Sequence, residues 1–401
     1  MEPDTMTPAK NPSRPRRLTG AGVGASLLLT ASLAWGATPA SATTPDPRRV
    51  DLATPTFTDP TAITNQLFPI SEVDQVLQLG EEAGTALRHE ITLLPETKVV
   101  RWRGQRVETV VSQFVAYGDG EILEVAYDFF AQADDGSVWY FGEDVFNYED
   151  GVVADNDGTW LAGRDGPPGM IMPASPEVGD VYRPENIPGL VFEEVTVQAV
   201  DQTVDGPRSP VAGAIRVRER LMDGVLEDKV FAPGYGEFQA EVPSEGELVT
   251  VALAVPTDAL DGRTPVALRR LSQNAGRVLD AAPSKRWARL GGTVERSERA
   301  LASLRARTDV PDLLDEQLVD ALSTLRDAVE DERVRRTRRA SLDLAEASLD
   351  LQLRHREVEA VDEDRLEVWE GRLQLDGAAG HWAAVAGDEA AIRAIEHRLD
   401  A

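Results

Sequence analysis

Carboxylates set beside aromatic rings are the residues of this 401-residue chain most able to do chemistry. Asp128, Glu143 and Asp144 lie close to Trp139 and Tyr140. Two carboxyls about 5–10 Å apart, one raised in pKa by burial, can hydrolyse a glycosidic bond while ring faces stack on the sugar. A plainer reading competes with this one. The stretch Ala131–Gly151 (AQADDGSVWYFGEDVFNYEDG) holds six carboxylates and five aromatic residues. Its Asp134-Asp135-Gly136 and Glu149-Asp150-Gly151 triplets have hairpin-turn chemistry, because aspartate hydrogen-bonds a turn backbone and glycine accepts positive φ. On that reading the charges face water. Trp139 and Phe141 then share one strand face and Val138 and Tyr140 the other.

Other chemistries lack parts. Cysteine is absent, which removes thiolate nucleophiles and disulfides. Only His89, His355, His381 and His397 exist, and no Gly-x-Ser-x-Gly elbow accompanies them, so neither a Ser-His-Asp triad nor a zinc site is assembled. His355 and Glu359 are spaced to share a helix face, but the paired Glu-x-x-His motifs of a di-iron bundle do not occur. Asp155-Asn156-Asp157-Gly158 resembles an acidic calcium loop without the alternating frame or the distal glutamate. The expectation is therefore no cofactor, no metal site and no assigned catalytic residue.

Charge narrows the partners. The formal net charge is −28. Residues 43–260 hold 14 basic and 39 acidic side chains, and residues 261–401 hold 23 and 28. Nucleic acid needs a basic footprint that this chain lacks. The first 42 residues read as a signal peptide: Lys10, Arg14, Arg16 and Arg17, then an apolar run over 21–34, then Ala40-Ser41-Ala42 as a cleavage triplet. The Arg16-Arg17 pair leaves both a secretory and a twin-arginine route open. Export to the envelope or the exterior is expected, with cleavage near Ala42 and no stable membrane insertion afterwards.

The elements that would position these residues fall into two kinds. In Glu121–Gln132 (EILEVAYDFFAQ) the odd positions Leu123, Val125, Tyr127, Phe129 and Ala131 are apolar, and Glu124, Asp128 and Gln132 are among the even ones, the period of a half-buried strand. Similar strands are expected at Arg88–Leu94, Val107–Ala116, Val191–Val200, Ala214–Leu221 and Leu248–Val255. The Asp-Gly pairs at 119, 135, 150, 157 and 223 punctuate them as an antiparallel meander. The segment Gly163–Gly189 has six prolines and five glycines, and its Met170-Ile171-Met172 would give a covering loop an apolar tip.

After Val255 the period changes to that of helices. Leu314, Leu318, Leu322, Leu325 and Val329 form one stripe, with breaks near Pro283, Pro311, Gly380 and Gly387, and Asp388 is placed to cap the last helix. Arg335, Arg336, Arg338 and Arg339 crowd one segment of this region. They form either a solvated face balanced by Asp327, Glu330, Asp331 and Glu332 or a docking surface for the acidic β region.

Phe57–Phe68, Thr92–Gly104, Asp128–Glu143, Met172–Tyr182 and Glu227–Glu237 resemble stretches of a group of uncharacterised exported bacterial proteins. That resemblance implies an exported β-rich domain over roughly residues 55–245 and supplies no activity. The Phe-Ala-Pro-Gly-Tyr-Gly turn after a late strand is also loosely similar to curved-sheet periplasmic carrier proteins.

The expected architecture is α+β in separate domains. A signal peptide (1–42) and a disordered leader (43–54) precede an antiparallel β meander, a twisted sheet or open barrel, over 55–255. A linker (256–263) and an antiparallel helical bundle (264–401) follow. The expected role is a secreted, non-catalytic binding module for an apolar small molecule, lipid or other envelope-derived ligand, lined by Trp139, Phe141, Met170 and Met172. The alternatives are a carbohydrate-acting hydrolase with paired carboxylates and a calcium-binding structural or adhesive protein.

Overall fold

The computed structural model describes residues 48–401, so the signal segment lies outside the described residues. Among these, a sixteen-stranded, largely antiparallel sheet (48–255) precedes six α-helices (266–400). The first strands are β1 (Arg48–Arg49), β2 (Gln75–Glu82), β3 (Thr85–Trp102), β4 (Gln105–Gly118), β5 (Glu121–Gln132), β6 (Val138–Glu149) and β7 (Val152–Asp155). Four short ones follow: β8 (Trp160–Leu161), β9 (Gly169–Met172), β10 (Asp180–Tyr182) and β11 (Asn186–Ile187). The last five are β12 (Val191–Asp205), β13 (Pro210–Leu221), β14 (Leu226–Ala232), β15 (Gly236–Val242) and β16 (Glu247–Val255).

Two meanders, β2 to β6 and β12 to β16, lie side by side because β16 pairs with β2. The turns at Asp119-Gly120 and Asp150-Gly151 have positive φ at both residues, as the tight type I′ hairpin requires. Ala83-Gly84 and Arg103-Gly104 adopt the same pair of positive φ values without an aspartate. Arg48 and Arg49, in the segment expected as a disordered leader, form β1 and pair with Asp180 and Val181.

The Gly163–Gly189 segment is built into the sheet. Its β9 pairs with β6, its β10 pairs with β12, and β9 and β10 touch, so the two outer ends of the meanders meet. The seam is close: a Cβ on Gly169 would stand 1.8 Å from the Pro184 carbonyl oxygen, so only glycine fits. The sheet thereby curls into a barrel-like wall.

The helices are α1 (Val266–Ala281), α2 (Trp287–Arg305), α3 (Asp312–Glu330), α4 (Val334–Gln352), α5 (Val358–Ala379) and α6 (Trp382–Asp400). The stripe from Leu314 to Val329 is buried on α3, and α4 packs against α1, α3 and α5. Pro311 precedes α3 directly, and Gly380 ends α5 in the left-handed conformation. Gly387 does not break a helix and Asp388 does not cap one, since both lie inside α6. The breaks after α3 and after α4 carry neither proline nor glycine.

The helices cover one outer side of the curled sheet. Leu77, Leu253 and Val255 share a core cluster with Leu268, Leu318 and Leu351. In a second cluster Tyr117 stacks on Trp369 at 5.3 Å. Between the clusters runs a closed ring of buried charges. Arg88 bonds Glu90 (2.7 Å) and Asp350 (2.8 Å); Arg365 bonds Asp350 and Asp362 (both 2.9 Å); Arg398 bonds Asp362 and Glu90 (both 2.9 Å). Three arginines alternate with three carboxylates, so every buried charge has an opposite neighbour on each side.

Candidate functional site

A strand lining the inside of a curled sheet alternates in composition just as a surface strand does. On β5 the polar face, expected to meet water, meets an internal cavity instead. Glu124, Ala126, Asp128 and Phe130 line a space of about 230 Å3 walled by both meanders. On β3, His89 points into the same space while its neighbours Arg88 and Glu90 join the charged ring beneath the helices. Nine carboxyl side chains line the cavity with a single lysine, Lys229.

The reading of the acidic middle as charges facing water is corrected here. Asp134, Asp135, Glu149 and Asp150 are exposed at turns, and Asp144 reaches Lys98 at 2.8 Å. Glu143 is buried and lines the cavity. The physical reason is a bulge in β6. Asp128 pairs with Glu143 and Phe130 with Tyr140, so Phe141 and Gly142 together oppose one residue of β5. Gly142 has φ 122°, and a Cβ there would stand 2.2 Å from the Trp160 carbonyl oxygen. The slip of one residue turns Tyr140 and Glu143 to the same side, which strict alternation forbids.

Three carboxyls gather at this end. The Tyr140 hydroxyl donates to Asp128 at 2.6 Å, and burial pushes Asp128 up to about 7 despite that bond. The indole nitrogen of Trp160 donates to Glu185 at 2.7 Å, and burial carries Glu185 to about 7 as well. Glu143 is held well above the usual carboxyl range, first by burial, then by the charges of Glu185, Asp128 and Glu124, and last by a hydrogen bond with Glu185. Near neutral pH these groups hold protons to a degree unusual for carboxyls. Ser112, next to Asp128 in the register of β4 and β5, is wholly buried, and its Oγ has no hydrogen-bond partner among the described residues.

The opposite wall is arranged differently. Lys229 lies 2.9 Å from Glu219, 3.5 Å from Glu227 and 3.4 Å from Glu237. Burial works against its charge, yet these carboxylates hold its pKa above the ordinary value. Burial raises Glu227 to about 8 and Glu247 to about 7. His89 is pushed down to about 4 by burial and is neutral, with Nδ1 3.3 Å from the Gln78 side-chain oxygen.

Trp139, Phe141, Met170 and Met172 are all buried in one apolar core cluster. Trp139 pairs with Met170 across β6 and β9, and Phe141 packs on Phe57 (centroids 5.4 Å apart) and Trp102 (6.5 Å). The cavity wall takes their neighbours Tyr140 and Ile171. In the Asp155–Gly158 loop, Asp155 and Asn156 bond Asn147 and the Val145 carbonyl of β6. The arginine-rich start of α4 bonds within the helical region: Arg335 and Arg339 to Asp376, Arg335 also to His381, and Arg336 to Asp331. The Nε of Arg338 is buried without a partner among the described residues. Contacts between the sheet and the helices use Arg88 of the sheet and Asp350, Arg365 and Arg398 of the helices. No protein-family model, curated protein or solved structure matches this chain.

Proposed function

We propose that the protein is a non-catalytic binding module that holds a small molecule inside the curled sheet. The observation carrying this reading is the half-open cavity of about 230 Å3, to which both meanders contribute. At about 30 Å3 per liquid water, that space equals roughly seven or eight waters, and a dry 150 Å3 cavity already holds benzene. The size favours a compact ligand over a lipid with full acyl chains. The lining, rich in carboxyls that hold protons, favours polar groups on that ligand over a purely apolar surface.

The hydrolase reading draws on the same Asp128 and Glu143, which are cross-strand partners. A glycosidase needs one of its two carboxyls ionised as base or nucleophile. Here burial pushes both towards the neutral form, and the charges that act most on Glu143 are those of other carboxyls. Binding is therefore the better supported function.

The test is native mass spectrometry of the full chain against its Ala126→Phe variant, which places a ring in the cavity. A compact adduct on the original chain, lost on denaturation and absent from a folded Ala126→Phe protein, is expected. An adduct of the same mass and occupancy in that variant would overturn the reading.

A further inference from the structure

The two ends of the cavity differ in charge balance. At one end Lys229 answers Glu219, Glu227 and Glu237. At the other, Asp128, Glu143 and Glu185 gather, and the charges that act most on Glu143 and Glu185 are those of other carboxyls. Ser112, Asp128 and Glu143 are successive cross-strand partners on β4, β5 and β6. This sets them in a row across three strands spaced about 4.8 Å apart. Glu185 closes the row from beyond Glu143.

A second observation is independent of the acids. Ser112 is wholly buried and faces the cavity, yet its Oγ has no partner among the described residues. A buried hydroxyl left without a hydrogen bond is costly, so a native structure that keeps one has a use for it. The hydroxyl and the neighbouring carboxylates all accept hydrogen bonds, and the row contains no N–H donor of its own. Apolar side chains, among them Phe114, Ala126, Phe130 and Ile171, also line the cavity. The row thus lacks a compact positive group with several N–H donors, attached to a short apolar body.

We propose that the cavity binds a small primary amine, whose ammonium group sits on the Ser112–Asp128–Glu143 row, donates to those three side chains and supplies the positive charge they lack. The inference rests on the small-ligand reading of the cavity. The amine enters protonated, and Asp128 and Glu143 release to solvent the protons they hold in the free protein. Binding is accordingly coupled to proton release.

The test uses n-butylammonium chloride as probe and 1-butanol as its neutral counterpart, followed by titration calorimetry on the full chain at pH 6 against a sodium chloride control. Butylammonium is expected to bind at least about tenfold more tightly than butanol, since hydrogen bonds to charged groups are the stronger class. Its apparent heat should vary with the ionisation heat of the buffer, the signature of released protons. Asp128→Asn, Glu143→Gln and Ser112→Ala, which keep size and shape closely, should each weaken butylammonium more than butanol. Equal affinity for the two probes would overturn the amine while sparing the small-ligand reading. Binding of neither probe would overturn both. Butylammonium binding that survives all three substitutions would place the amine elsewhere and also overturn the proposal.

Discussion

Asp128 and Glu185, each raised to about 7 by burial, make the folded protein a stronger proton binder than its unfolded chain. Carboxyls in an unfolded chain titrate near about 4. Between those values the native state holds more protons than the unfolded state, so stability falls as pH rises through the window. Glu247 and Glu227, raised to about 7 and about 8, act with the same sign. Glu90 and Asp350 act oppositely. Burial works against their charges, but the arginines of the ring hold both below their usual values, so their contribution is lost on acidification below about pH 4. The melting temperature should therefore peak near about pH 4–5 and be lower at pH 8, where most small domains do not lose stability. Circular-dichroism melts across this range check it. Glu143→Gln, which removes one raised carboxyl, should flatten the decline. A melting temperature that climbs steadily from pH 5 to pH 8 would mean that these acids are not buried as described.

The bulge at Phe141–Gly142 decides which side chains of β6 face the cavity. Gly142→Ala combines a strained positive φ with a contact against the Trp160 carbonyl oxygen. It should cost about 3 kcal/mol in urea unfolding, and it should turn Tyr140 and Glu143 to opposite faces. Loss of the Tyr140 bond to Asp128, seen as a change in tyrosine absorbance, would accompany the loss of stability. The same bulge marks the limit of what could be read from sequence. The strands at Arg88–Leu94, Glu121–Gln132 and Val191–Val200 were legible because period two survives burial on either face. Water and cavity on the polar side were not distinguishable, because carboxyls suit a solvated face and a protonated hollow alike. Strict alternation placed Glu143 with Trp139 and Phe141; one extra residue places it with Tyr140. Helix breaks at Pro311 and Gly380 were legible from backbone chemistry, whereas those after α3 and α4 are set by packing and left no local sign.

Across the whole molecule, the charged ring ties the sheet to the helices. Regional net charge suggested that the arginine-rich helix would meet an acidic sheet. The sign at the contact itself is reversed in one pair, since Arg88 of the sheet meets Asp350 of α4. Residues of three helices and one strand share the ring, and apolar residues of β2 and β16 share a core with the bundle. Neither part can keep its buried charges paired without the other. Full-length protein should accordingly unfold in a single calorimetric transition despite its two classes of structure. Arg398→Met leaves Glu90 and Asp362 short of a partner inside the interface, which should cost about 3–5 kcal/mol. Replacing Glu90 by glutamine as well leaves the neutral chain Arg88–Asp350–Arg365–Asp362, so the double variant should recover much of that loss. Two separate transitions in the unsubstituted chain, or a double variant no more stable than Arg398→Met, would show that the ring does not couple the sheet to the helices.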